Sequence, residues 1–108
     1  MRRFTTPTLP LSAPVDLTGA DVRISIKQGQ RKLLKQDDDI IGLTYDSETG
    51  KTTFSVRLSQ EETGAFLAEK QVTIQANWIF EDGTRSASNI KKIDVSENLL
   101  NEVIEYGD

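Results

Sequence analysis

From Asp21 to Gln28 the chain alternates, with Val22, Ile24 and Ile26 on one side and Arg23, Ser25 and Lys27 on the other. A period of two predicts a strand with one buried and one wet face. Gly29 ends it, and the short run Lys32–Lys35 (KLLK) predicts a second strand, so residues 21–36 read as a hairpin. The acidic stretch Asp37–Asp39 interrupts before Ile40–Tyr45 resumes in extended form. Asp46–Gly50 (DSETG) has the composition of a hairpin turn. Beyond it, Thr52–Leu58 points Phe54, Val56 and Leu58 inward.

Ser59–Glu62 (SQEE) matches a capping box, in which the Ser hydroxyl serves the N3 amide and the N3 Glu reaches back. A single helical turn to about Phe66 follows, and Gly64 weakens anything longer. Lys70–Phe80 is the longest strand. Val72, Ile74, Ala76, Trp78 and Phe80 form one apolar row, expected to be the centre of the core, while Gln71, Thr73, Gln75 and Asn77 face away. Glu81–Thr84 (EDGT) is a turn signal. Arg85–Val95 then returns as a partner strand with Ala87, Ile93 and Val95 inward and a bulge near Ser88 and Asn89.

Both termini carry apolar residues whose burial the pattern leaves open. Pro7, Pro10 and Pro14 keep residues 1–14 out of a helix and predict an extended arm. Leu9 and Leu11 share a parity there, and they either pin the arm to its own domain or add a strand to a neighbour's sheet. A turn is expected at Leu17–Gly19. In residues 96–106 the period changes: Leu99, Leu100, Val103 and Ile104 fall at helical spacing with acidic residues between them, which predicts a short amphipathic C-terminal helix. An isolated helix of that length is marginal in water. It therefore packs on its own domain or docks on a neighbouring subunit, and self-association into a homo-oligomer is one of the two outcomes. The whole pattern predicts an all-β chain: one immunoglobulin-like antiparallel β-sandwich domain over residues 1–108 with about seven strands and no internal repeat or linker.

Composition narrows the chemistry. The 108 residues are 36% hydrophobic and 28% charged, as expected of one globular domain with a modest core. With 13 basic and 17 acidic residues the net charge is −4, which disfavours nucleic acid and anionic membrane surfaces as partners. No apolar run approaches a bilayer span of roughly 20 residues. Arg2 and Arg3 are followed by Thr, Pro and Ser in place of an apolar stretch, so no signal peptide is read. The sequence holds neither cysteine nor histidine. That removes disulfides, thiol nucleophiles and the usual general base and transition-metal ligand. No enzyme activity and no cofactor are expected.

Each candidate site has an ordinary competitor. Asp37–Asp39, with Asp46 and Glu48, offers hard oxygen ligands for calcium but lacks the Gly and Glu spacing of an EF-hand loop; a solvated loop whose charges discourage edge-to-edge strand pairing is the favoured reading. Glu61 and Glu62 are paired carboxylates, yet neighbours on one helical turn diverge and Glu62 already has a capping role. Arg31, Lys32, Lys35, Arg85, Lys91 and Lys92 suggest a basic patch, although exposed strand faces carry lysines anyway. Trp78 and Tyr45 could stack on a sugar, but Trp78 lies on the apolar parity of the core strand.

Six segments follow one another in a familiar order: Thr6–Leu11 (TPTLPL), Val15–Ala20 (VDLTGA), Val22–Gln28 (VRISIKQ), Leu58–Thr63 (LSQEET), Val72–Trp78 (VTIQANW) and Asp82–Ser88 (DGTRSAS). Together they resemble small proteins encoded among the structural genes of tailed phages and prophages of Gram-positive bacteria. More distantly they resemble the N-terminal immunoglobulin-like domain of phage baseplate upper proteins, with its "dLTG" strand entry and late "DG" hairpin. The resemblance spans roughly residues 5–104 and rests on turns and strand faces. It implies a virion, tail or baseplate component or an assembly accessory, made in the host cytoplasm and then carried in the virion. Its partners would be other phage structural proteins or further copies of itself, engaged through Leu9, Leu11, Leu99, Leu100, Val103 and Ile104. A carbohydrate- or cell-surface-binding sandwich is the alternative. No catalytic residues come with the resemblance.

Overall fold

Alternation in the sequence becomes two antiparallel sheets in the computed structural model, which describes residues 1–107. The strands are β1 (Thr8–Ala13), β2 (Asp21–Gln28), β3 (Arg31–Gln36), β4 (Ile40–Asp46) and β5 (Lys51–Arg57). After the short helix α1 (Gln60–Gly64) come β6 (Val72–Ile79), β7 (Arg85–Ala87) and β8 (Lys91–Ile93). Sheet I has the order β1-β5-β4. Sheet II has the order β3-β2-β6, and β7 and β8 share the far side of β6.

The central pair of sheet II is β2 with β6, in register Val22–Trp78, Ile24–Ala76 and Ile26–Ile74. Every one of those six side chains is buried. From sheet I, Phe54, Val56 and Leu11 meet them, so one apolar cluster joins the two inner faces. Burying side chains of this kind stabilises by roughly 1.5–3 kcal/mol each. The row predicted for 70–80 holds, with Phe80 half-buried at its end.

The Val15–Ala20 entry turn is built by its own polar groups. Asp16 Oδ1 accepts from the Thr18 amide at 2.9 Å, and Ala20 N donates to Leu17 O at 3.0 Å. That turn drops Leu17 into the core, 1% exposed. The buried hydroxyl of Thr52 then accepts from Leu17 N and donates to Val15 O, so the loop's polar groups are satisfied inside.

Three expectations need correction, and one open alternative is resolved. The N-terminal arm adds a strand to its own sheet: β1 pairs with β5 from Thr8–Arg57 to Ala13–Thr52, and Leu9 and Leu11 pack half-buried on the core. Pro10 is tolerated there because β1 is an edge strand and needs no second ladder. Arg85–Val95 is two three-residue strands, not one. The Ser88 hydroxyl, accepting from Ala76 N at 3.0 Å, takes a backbone partner's place at the break between them. Ala87 lies opposite Asn77, outward and exposed.

Residues 96–106 form no helix; they are irregular chain with a bridge at Ser96. Asn98 Oδ1 accepts from Leu100 N at 3.2 Å, a local bond that competes with helical pairing. Gln60 occupies both backbone groups of Ile104, donating to its carbonyl and accepting from its amide, each at 2.8 Å. Among the described residues no helix is long and apolar enough to cross a membrane.

Candidate functional site

The two ends of the chain meet and form a clasp. The Met1 ammonium donates to Asp94 O at 2.7 Å, Ser96 N to Met1 O at 2.7 Å, and Arg3 N to Ser96 O at 3.0 Å. Arg2 donates to Glu97 O, and Asn98 Nδ2 to Arg3 O. The Arg3 guanidinium reaches the last carbonyl of α1, Gly64 O at 2.8 Å, where a cation is favoured, and Phe66 O just beyond it at 2.7 Å.

From this clasp the tail leaves held by the Asn98 side chain and the Ile104 backbone, with its apolar side chains exposed to different degrees. Leu99 and Tyr106 are fully exposed; Leu100, Val103 and Ile104 are 44%, 40% and 59% exposed. All but Tyr106 are the C-terminal residues singled out from the sequence. The structure keeps them on one segment and leaves each at least 40% exposed, whereas Leu9 and Leu11 are used inside the domain. Glu97, Glu102 and Glu105 punctuate the tail, and residues 97–106 contain no Lys or Arg.

A second surface is the outer face of sheet II. Register places Lys32 opposite Lys27, Lys27 opposite Thr73, and Thr73 opposite Lys92, so three lysines occupy one rung. Leu34, Ser25 and Gln75 form the next rung. Arg23 and Arg85 lie further along, with Arg23 paired to Asp21 at 3.1 Å. Like charges directly opposite each other on neighbouring strands are unfavourable. Among the described residues, no carboxylate pairs with Lys27, Lys32 or Lys92.

The sequence's basic group is therefore divided. Lys32, Lys92 and Arg85 share this face, whereas Lys91 lies opposite Ile74 on the other parity. Lys35 is buried in an ion pair with Glu62 at 2.6 Å. Lys27 was missed, and its parity with Arg23 and Ser25 was the available signal.

The acidic candidates serve local structure. Asp37–Asp39 forms a 3-10 turn in which Asp39 accepts from Gln36 N at 3.3 Å. Asp46 Oδ1 accepts from Glu48 N at 2.9 Å within the β4–β5 turn. Among the described residues no three acidic side chains converge as a metal site would need. Glu62 accepts from Ser59 N at 2.8 Å, and Ser59 Oγ from Glu62 N at 3.2 Å, completing the predicted capping box. Open depressions touch Glu61 and Glu62 on one side and Lys35, Asp38 and Asp39 on the other. The largest groove, about 870 Å³, lies beside Pro10, Leu11, Phe54 and Asn89, and its titratable side chains are Lys51 and Lys91 alone. Trp78 is 4% exposed and Tyr45 37%, so no exposed pair of rings is formed by them.

No family model matches this chain, and no curated protein matches it.

Proposed function

We propose that this chain is a non-enzymatic structural or assembly protein of a tailed phage or prophage, a virion, tail or baseplate component that acts through protein–protein contacts on an immunoglobulin-like sandwich. The observation that carries the assembly reading is the tail. Five large apolar side chains between Leu99 and Tyr106 are each at least 40% exposed on a segment held by the Asn98 side chain and the Ile104 backbone. Exposed apolar groups clustered in this way mark interaction surfaces. The phage setting is supported by the ordered motifs from Thr6 to Ser88. The carbohydrate-binding alternative loses the ring it was built on, because Trp78 is a core residue.

Deleting residues 97–108 tests the assembly reading. The truncated chain should lose its association with other copies or with co-expressed structural proteins of the same particle, while its thermal midpoint falls by less than about 5 °C. Equal association with and without the tail would overturn it. Mass spectrometry of purified particles tests the setting: the chain should be present at a fixed stoichiometry, and its absence from particles and assembly intermediates alike would remove the phage reading.

A further inference from the structure

We infer that the tail of one copy docks on the outer face of sheet II of a second copy, head to tail; this rests on the assembly reading above. The outer face carries Lys27, Lys32, Lys92, Arg23 and Arg85 against two carboxylates, Asp21, which pairs with Arg23, and Asp94, which accepts from Gln71 at 2.8 Å. On a chain of net charge −4 this is a concentrated positive surface. Strands lie about 4.8 Å apart, so Lys32 and Lys27 face each other at close range with no internal counter-charge. Leu34, 48% exposed, sits one rung away, and Ile79, 41% exposed, lies at the far end. The face is thus basic with apolar points.

The tail is its complement. Glu97, Glu102 and Glu105 supply three negative charges on a segment with no Lys or Arg of its own, and Leu99, Leu100, Val103 and Ile104 supply apolar side chains. Both surfaces are exposed in the same molecule, and among the described residues no carboxylate pairs with Lys27, Lys32 or Lys92. Because they are different surfaces, the contact is heterologous, and repeating it generates a ring or a filament. Charge fixes the register and speeds encounter, and the aliphatic groups supply buried area.

Sedimentation velocity on the full chain tests this. Wild type should self-associate, and association should weaken about tenfold as salt rises from about 0.1 M to about 1 M, where screening shortens to roughly 3 Å. Face reversal (K27E, K32E and K92E) and tail reversal (E97K, E102K and E105K) should each abolish self-association. An equimolar mixture of the two should restore it, because the reversed face accepts the reversed tail. Charge reversal on sheet I instead (K51E and R57E) should leave association at the wild-type level.

Wild-type association that survives both reversals would overturn the docking while leaving the assembly reading intact. A wild-type chain that stays monomeric at every concentration would also overturn it, and tail-dependent binding of another particle protein would then still support that reading. A monomer that binds DNA through the three lysines, with binding lost in K27E, K32E and K92E, would assign the face to nucleic acid instead.

Discussion

The ring of Phe4 stands where a β-carbon on residue 64 would be, with Cε1, Cδ1 and Cζ all inside the space that atom would need. Gly64 closes α1, and Phe4 reaches it in a left-handed backbone conformation, φ 58°, with the Arg3 guanidinium 5.2 Å above its ring. Glycine is thus kept for a close approach that locks the N-terminus over the helix.

Two effects of Gly64→Ala oppose each other. Helix propensity favours alanine by about 1 kcal/mol, and overpacking against the ring costs about 1–3 kcal/mol. The ring is held by the clasp and has little room to retreat, so the substitution should destabilise by about 1 kcal/mol. In a Phe4→Ala background the same change should stabilise. Urea unfolding of the four proteins gives the comparison, and a stabilising Gly64→Ala in the wild-type background would contradict it.

Lys35 and Glu62 tie an edge strand of sheet II to α1. Their side chains are 9% and 21% exposed, which puts the pair between a surface and a buried bridge. Glu62 also accepts from Ser59 N, so Glu62→Ala removes both the bridge and one half of the capping box. It should cost about 2–3 kcal/mol, and Lys35→Met, which keeps the aliphatic stem, about 1 kcal/mol. A double-mutant cycle should return a favourable coupling; a coupling of zero would mean the bridge contributes only geometry.

What alternation could reveal, it did: β2, β5 and β6 each bury every second side chain. The capping box was equally legible, since its residues act within four positions of one another. Contacts between distant segments were not. Nothing near Met1 signals that Asp94 and Ser96 will receive it, and nothing near Ile104 signals Gln60. The helical spacing of Leu99, Leu100, Val103 and Ile104 was real, but periodicity reports a helix only where a surface rewards one face, and here Asn98 and Gln60 claim the backbone first. A continuous strand from Arg85 to Val95 would point Ala87 inward; the break at Ser88 separates the parity of β7 from that of β8. For the candidate site, the sequence revealed the apolar tail and part of the lysine set, but the rung that joins Lys32, Lys27 and Lys92 exists only in the cross-strand register.

Gln28 lies on the buried parity of β2, 8% exposed, where an aliphatic residue would be expected. Its amide donates to Leu67 O at 2.8 Å and Lys70 O at 3.1 Å and accepts from Leu67 N at 2.7 Å, holding the segment between α1 and β6. Gln28→Leu should leave those backbone groups without partners and cost about 2 kcal/mol. Hydrogen exchange at the Leu67 amide should accelerate far more than at Ile24 or Ile74. Unchanged protection at Leu67 would show that the loop holds itself.

Acid should loosen two turns together. Hydrogen bonds from the Thr18 side chain and amide hold the Asp16 carboxyl below its ordinary value. Hydrogen bonds from the Thr84 amide and side chain do the same for Asp82 in the β6–β7 turn. A carboxyl whose pKa is lower folded than unfolded binds its proton more readily in the unfolded chain. Its contribution to stability is therefore complete above about pH 4 and lost as pH falls through the folded value. Asn at either position keeps the oxygen acceptor but removes the titration. Urea midpoints measured between about pH 5 and about pH 2 should fall less steeply for Asp16→Asn with Asp82→Asn than for wild type. The difference should be confined to the region below about pH 4. Acid limbs that superimpose for the two proteins would mean that neither turn is proton-linked to folding.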